Sequence, residues 1–501
     1  MMSYVRKYAA ALAVLVLSSC NAHAAGPQVP AAGSLTGRVA SADGKPLAGV
    51  VVSDGVRVTQ TDTEGMYTLD SDKELGYVFI SIPSGYMTAA DACAIPQFFA
   101  RTAKPAGQSE RHDFTLTPVD NTRHTVIAAT DHHLADRESL DVTQFTAEGG
   151  FIDDVKAVAA ATASPVYSIC MGDMSWDEYW HKRNFMLPEF RRLYERYTFP
   201  CPVFNAMGNH DMKIWGRSYE TSLGPFEAMY GPCYYSYNVG RVHYVVLNDN
   251  FFVGRDWYYI GYLEERQLAW LAKDLQYVPA GSTVVAALHI PTMYKNKENQ
   301  PFDYKMAERS LCNYRALYAL LKPYKAHIVS GHMHTTTNSD ICEGLYEHNV
   351  AALSGAWWQG AICTDGTPAG YGVFEVDGDD VQWRYKATGY PQEFQIKIYG
   401  PSDDPAFAGR IVANVWNCDP AWIVEMRVDG CEPVAMARTT AIDPEARALY
   451  ADTSKLVHKW ITVIPSDHYY AAPLPAGARR VEVTARDRFG NVYRAEKEIV
   501  L

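Results

Sequence analysis

The chain has 501 residues, 48% of them apolar and 20% charged, which excludes an unfolded polar chain and suggests about three domains of ~150 residues, each able to bury a core. A net charge of −12 provides no basic field for nucleic acid or an anionic membrane, so any attraction for phosphate has to be local.

Residues 1–25 read as an export signal: Arg6 and Lys7 precede an apolar stretch from Ala9 to Leu17 that is too short to span a bilayer. Leu17-Ser18-Ser19-Cys20 resembles the lipobox of bacterial lipoproteins, which implies lipidation of Cys20 and a membrane anchor at the cell envelope. Cleavage after Ala22-His23-Ala24 is the alternative. Of ten cysteines, nine remain once Cys20 is lipidated, so at least one thiol stays free. Cys170 reads as a core thiol, and Cys418 with Cys431 is a candidate pair.

Residues 34–119 alternate apolar and polar positions between regular turn signals, as in Gly49-Val50-Val51-Val52 and Thr61 to Leu69, and read as an all-β unit with no catalytic constellation, which resembles the carboxypeptidase regulatory-like β-sandwich. From residue 121 the pattern changes. Five short apolar runs, Val126–Thr130, Val166–Met171, Val203–Met207, Val284–Leu288 and His327–Ser330, read as strands buried on both faces. Each is closed by a polar cluster: Asp131-His132-His133, Gly172-Asp173, Gly208-Asn209-His210-Asp211, His289 and Gly331-His332-Met333-His334. Metal ligands at successive strand ends are where open α/β sheets place their sites. Residues 264–275 have apolar positions at helical spacing, with Trp270 as a core residue. Ala351–Trp358, Gly370–Val376 and Val381–Lys386 read as strands that finish the central sheet, and further strands at Ile411–Trp416, Trp422–Val428 and Val481–Ala485 build a C-terminal β-rich unit. The boundary is drawn at 345/346, with 390 as the other position.

The order and spacing of the five clusters resemble the calcineurin-like metallophosphoesterase family, whose pattern reads D-x-H, G-D, G-N-H-D, H, G-H-x-H. One such block alone is weak, because an Asp or His at a strand end usually caps a turn. The resemblance implies a four-layer αββα sandwich over residues 121–345, flanked by β-sandwich-like domains at 34–119 and 346–501. It also implies two divalent ions (Mn, Fe or Zn), one held by Asp131, His133, Asp173 and His334 and the other by Asp173, Asn209, His289 and His332. Two carboxylates against two dications leave net positive charge for a phosphate ester. The implied reaction is hydrolysis of a phosphate mono- or diester by a metal-bridging hydroxide, with His210 assisting the leaving group and Asp211 orienting His210. His124, His132 and His243 fit no ligand position. Trp176, Lys213, Arg217 and Tyr294 lie in the surrounding loops as candidate substrate contacts. The alternative is a non-catalytic surface protein that binds glycan or peptide on the same fold.

Overall fold

The protein is described here from a computed structural model over residues 33–137, 140–213, 215–254, 258–293 and 304–499. The export segment with Cys20, and Tyr294, lie outside the described residues.

Residues 33–118 form two facing sheets. One has the order Met66–Ser71, Gly33–Ser41, Phe114–Pro118, Tyr86–Met87, with Glu110–Arg111 beside Gly33–Ser41; the other runs Val58–Gln60, Val51–Ser53, Tyr77–Ile80, Phe99–Arg101. Burial in Gly33–Ser41 alternates residue by residue, so Leu35 and Val39 enter the core while their neighbours are partly exposed.

Two more sheets form the centre. In the first, β1 (Arg123–Ala129), β2 (Val166–Cys170) and β3 (Val203–Asn205) run parallel in the order β3-β2-β1. In the second, β4 (Tyr235–Val239) pairs antiparallel with β5 (Val242–Val246), and β6 (Thr283–Ala287) and β7 (Lys325–Ser330) follow in parallel. β8 (Thr337–Cys342) and β9 (Leu345–Asn349) complete it in the order β4-β5-β6-β7-β9-β8. The first sheet takes its last two strands from later in the chain: β10 (Gly370–Asp377) pairs antiparallel with β1, and β11 (Asp380–Ala387) with β10. By hydrogen bonding the central unit therefore extends to Ala387.

The continuous apolar runs follow from burial on two sides. Along β1, Val126 and Ala128 join the core between the sheets, while Ile127 and Ala129 face a separate cluster containing Phe151, Phe190 and Phe226 from the helices Phe151–Ala161, Leu187–Arg196 and Tyr219–Tyr230. The helices Glu265–Asp274 and Tyr314–Leu321 cover the second sheet with Trp270, Leu271, Leu317 and Leu321. This is the αββα sandwich. The Trp270 indole also donates to Ser53 Oγ at 3.0 Å, tying the N-terminal sandwich to the centre.

Ala351–Trp358 is not a strand. Leu353 N–H donates to the Thr130 carbonyl at 3.0 Å and the chain then turns, with Trp357 and Trp358 at φ of 52° and 67°. Beyond Ala387, the strands Lys397–Tyr399, Arg410–Asn414, Ser466–Pro473 and Ala437–Ala441 face Val434–Ala435, Ile423–Val428, Arg480–Arg486 and Val492–Glu498 across a core that includes Ile411, Val424 and Val481. The candidate Cys418–Cys431 pair is not formed; Cys418 is buried and Cys431 exposed, each as a thiol.

Candidate metal centre

Parallel strands deliver their C-terminal ends to one edge, and the five polar clusters leave β1, β2, β3, β6 and β7 there. The loops after β1 and β2 are zipped together by Asp131 N–H to the Gly172 carbonyl (3.1 Å) and His133 N–H to the Asp173 carbonyl (2.9 Å). Three glycines let the loops touch. A Cβ on Gly172 would strike the Gly208 backbone, one on Gly208 would strike Asp173, and one on Gly331 would strike Thr130 Oγ1. Asp131, His133, Asp173, His332 and His334 all have positive φ, from 45° to 69°. Left-handed backbone at non-glycine residues costs of order 1 kcal/mol or more each and persists where the surroundings dictate it, typically at functional sites.

This backbone brings all seven expected ligands together. His133 Nε2 and His334 Nε2 stand 2.9 Å apart, with Asp131 Oδ1 3.6 Å from the first and 3.2 Å from the second. Asp173 Oδ2 lies 3.7 Å from His133 Nε2 and 3.3 Å from His289 Nε2, between the two halves of the cluster. His289 Nε2 is also 3.0 Å from Asn209 Oδ1 and 3.2 Å from His332 Nδ1.

For four of these side chains, hydrogen bonds at the outer atoms decide which atom is left for a cation. Thr130 Oγ1 and the His332 N–H both donate to Asp131 Oδ2 at 2.8 Å, and buried Oδ1 has no partner. The His210 N–H donates to Asp173 Oδ1 at 2.8 Å, which leaves Oδ2 facing inward. His289 Nδ1 bonds to the Met171 carbonyl at 2.7 Å and His332 Nε2 to the Glu308 carbonyl at 3.1 Å. A carbonyl only accepts, so each imidazole holds its proton outward and turns its lone pair into the cluster. Lone pairs and carboxylate oxygens converging without a proton between most of them suit divalent cations, and the mixed imidazole and oxygen set suits zinc, manganese or iron.

The electrostatics agree. Burial works against ionisation of Asp131 and Asp173, yet the surrounding imidazoles, His334 first for Asp131 and His289 first for Asp173, hold both below the usual carboxylate range. Burial would likewise lower His289, but Asp173 and Asp131 carry it up to about 10, while burial and the charge on His289 push His332 down to about 3. Two buried carboxylates thus make the cluster attractive to positive charge.

His210 has a ring nitrogen within 4.8 Å of donor atoms on His133 and Asp173, and its side chain is 23% exposed. Its Nδ1 is hydrogen-bonded to buried Asp177. Burial lowers its basicity, but Asp173 and Asp177 outweigh this and raise it to about 9. Asp211, expected to orient His210, does not touch the ring. Its Oδ1 accepts from the Met174 and Ser175 N–H groups at 3.0 and 3.2 Å, and its Oδ2 from the Gly208 N–H at 3.0 Å, so it clamps the β2 and β3 loops together. Asp177 is the residue that sequence reasoning missed; an acidic loop residue four positions after Asp173 carries no motif signal.

Trp176 is buried, 4% exposed, with its ring 5.2 Å from His133 and 5.9 Å from His210. Lys213 and Arg217 are exposed in the following loop. His132 packs edge-on against Phe145, Phe151 and Phe190; His124 bonds to Tyr244 and His243 to Asp274.

Parallel strands from two stacked sheets, carrying paired Asp/His/Asn donor groups at their ends, define a dimetal-type phosphoesterase fold. The chain belongs to the calcineurin-like phosphoesterase family: residues 124–336 match its calcineurin-like phosphoesterase model, 33–119 its N-terminal model and 347–493 its C-terminal model. No curated protein matches the chain. Among solved structures it is similar to a dimetal phosphatase from Danio rerio, at 14% identity and a TM-score of 0.38, over 53% of this chain and 96% of that one. It is also similar to a 5'-nucleotidase from Candida albicans (12%, TM-score 0.34, 53% and 52%) and to the purple acid phosphatase PPD1 of yellow lupin (13%, TM-score 0.36, 68% and 67%).

Proposed function

We propose that the chain hydrolyses a phosphate mono- or diester at a centre holding two divalent ions, Asp131, His133, Asp173 and His334 gripping one and Asp173, Asn209, His289 and His332 the other. The observation that carries this is the convergence of seven donor side chains on one strand edge, with the second oxygen of each carboxylate already taken by protein N–H or O–H groups. When bound, two dications supply positive charge for the phosphoryl oxygens and acidify water at neutral pH. The chain's own residues do the rest. Asp173 Oδ2 stands between the two donor groups. His210, a partly exposed member of the cluster, holds Nδ1 against Asp177 and keeps Nε2 to deliver a proton to the departing oxygen. Asp211 keeps the two loops in register so that His210 and Asp173 share an edge.

We further propose that the chain is exported and anchored through Cys20 at the bacterial cell envelope; the apolar stretch ending in Leu17-Ser18-Ser19-Cys20 supports this. Cys20→Ala should then release the protein from the detergent phase or block its processing, and equal partitioning of both forms would refute the anchor.

The test of function is reconstitution of the full chain with manganese, zinc or iron, followed by metal analysis and assay on p-nitrophenyl phosphate and bis(p-nitrophenyl) phosphate. About two ions per chain and metal-dependent turnover of one ester class are expected. A protein that binds neither metal nor ester would overturn the proposal.

A further inference from the structure

Beside the metal centre stands a wall of rings that the central domain does not complete by itself. The Trp357 ring stacks on His334, with centroids 4.2 Å apart and planes at 26°. Trp460, from the C-terminal domain, meets Trp357 edge-on at 4.4 Å and lies 5.4 Å from His458 of the same loop. His458 lies 4.8 Å from Trp176, Trp176 lies 5.2 Å from His133, and His133 lies 4.9 Å from His334, which closes the circuit. Arg137 ties this wall from beneath: its guanidinium covers Trp176 at 5.0 Å, bonds to His458 Nε2 at 2.7 Å and reaches the Trp357 carbonyl at 3.4 Å, while Asp141 holds its Nε at 2.8 Å.

Two features show that the wall is more than domain packing. Exposure is graded: Trp176 and His458 are 4% and 7% exposed, whereas Trp460 is 55% exposed, so the outermost ring offers its surface to whatever enters. An aromatic ring left in water beside a site is a surface waiting for apolar contact. The backbone also sustains strain to aim the inner ring. Trp357 and Trp358 have consecutive positive φ values of 52° and 67°, which bulky residues rarely adopt. Trp358 is pinned inward by its indole N–H, which donates to the His132 carbonyl at 2.7 Å, and this leaves Trp357 turned onto His334.

We propose that Trp357 and Trp460 form a stacking subsite for a planar ring, an aryl group or a nucleobase, carried by the phosphoester, so that the C-terminal domain helps to choose the substrate. The proposal rests on the phosphoesterase reading and deepens it. A phosphoryl group at the ligand cluster has Trp357 on one of its metal-binding imidazoles and Trp460 one ring further out, where a substituent one short tether away would lie.

Non-hydrolysable phosphonates separate the subsite from the chemistry. Binding of methylphosphonate, benzylphosphonate and cyclohexylmethylphosphonate to the metal-loaded full chain is measured by calorimetry. Stacking on an aromatic side chain is worth about 1–3 kcal/mol, so benzylphosphonate should bind roughly fivefold or more tighter than methylphosphonate, and tighter than the saturated ring of similar size. Trp460→Ala should reduce the benzyl-to-methyl ratio to about two or less, and Trp460→Phe should keep most of it, because the flat face is what binds. Val492→Ala, on the outermost strand of the same domain, should leave the ratio at its original value. A ratio near one in the unmodified protein, equal affinity for the flat and saturated rings, or a ratio untouched by Trp460→Ala would each overturn the subsite. If methylphosphonate itself fails to bind the metal-loaded protein, the phosphoesterase reading falls, and the subsite with it; binding of methylphosphonate without ring preference refutes the subsite alone.

Discussion

Besides Asp173, which accepts the His210 N–H, two carboxylates stand near His210, and only Asp177 is hydrogen-bonded to its ring; Asp211 spends both oxygens on backbone N–H groups. Their substitutions should therefore part company. Asp177→Asn should keep both ions and lower kcat by roughly ten- to a hundredfold, the usual cost of losing an orienting partner. The loss should be larger for alkyl than for aryl esters, since a good leaving group needs little protonation. Asp211→Asn should instead loosen the loops that carry Asp173 and Asn209, lowering metal affinity along with activity. Metal analysis beside ester kinetics separates the two, and an Asp177→Asn protein that loses an ion would show that His210 is a ligand. Asp173→Asn should lose metal and activity together, because an amide brings no charge to the position between the two donor groups. What was legible at this scale were residues whose chemistry is unusual for their place: Asp131, His133, Asp173, Asn209, His289, His332 and His334 each end an apolar run. Asp177, His458 and Trp460 were not legible. Their importance comes from a neighbour supplied by another loop or another domain, and nothing local distinguishes them from ordinary surface residues.

At the scale of elements, the strands could be read because burial on both faces demands unbroken apolar runs, whereas Ala351–Trp358 shows where that rule misleads. It is as apolar as a strand and equally buried, but its N–H groups go to the Thr130 and Asp131 carbonyls and to its own turn rather than to a ladder. The strand-end glycines are a second element-level feature. Gly331 lies against Thr130 Oγ1 and the Asp131 carboxylate, with no room for a methyl group. Gly331→Ala should cost about 1–3 kcal/mol, as overpacking does, and should weaken metal binding by displacing Asp131. Gly224, inside the helix Tyr219–Tyr230, meets nothing beyond its chain neighbours, but Pro225 follows it and disfavours a Cβ in helical backbone, so alanine there should change stability little. Thermal midpoints and metal titrations of the two variants check this; equal stability effects would mean that the close approach of the loops is not what Gly331 serves.

For the whole molecule, acid sensitivity should arise away from the metal centre, where buried histidines join layers and domains. His124 on β1 bonds to Tyr244 on β5 at 2.7 Å, linking the two sheets, and burial pushes it down to about 4. His327 on β7 lies 3.0 Å from His348 on β9 and beneath the Trp383 ring, which Arg488 of the C-terminal domain covers at 5.0 Å; burial, then the Arg488 charge, lowers it to about 4. A histidine lowered in the folded state binds its proton more readily when unfolded, at the ordinary value near 6.5. Between about pH 6.5 and 4 the unfolded chain therefore takes up more protons, and stability falls as the pH falls through that window. Two and a half pH units of lowering correspond to about 3 kcal/mol per histidine once the pH is below both values, and to about 2 kcal/mol at pH 5 relative to pH 8. His124→Gln keeps a side chain able to bond with Tyr244 but removes the titration. Its urea midpoint should drop less between pH 8 and pH 5 than that of the unmodified protein, by the equivalent of about 2 kcal/mol. Identical pH dependence in the two proteins would mean that His124 is already protonated in the fold, and that the junction between the two sheets is polar where the structure makes it neutral.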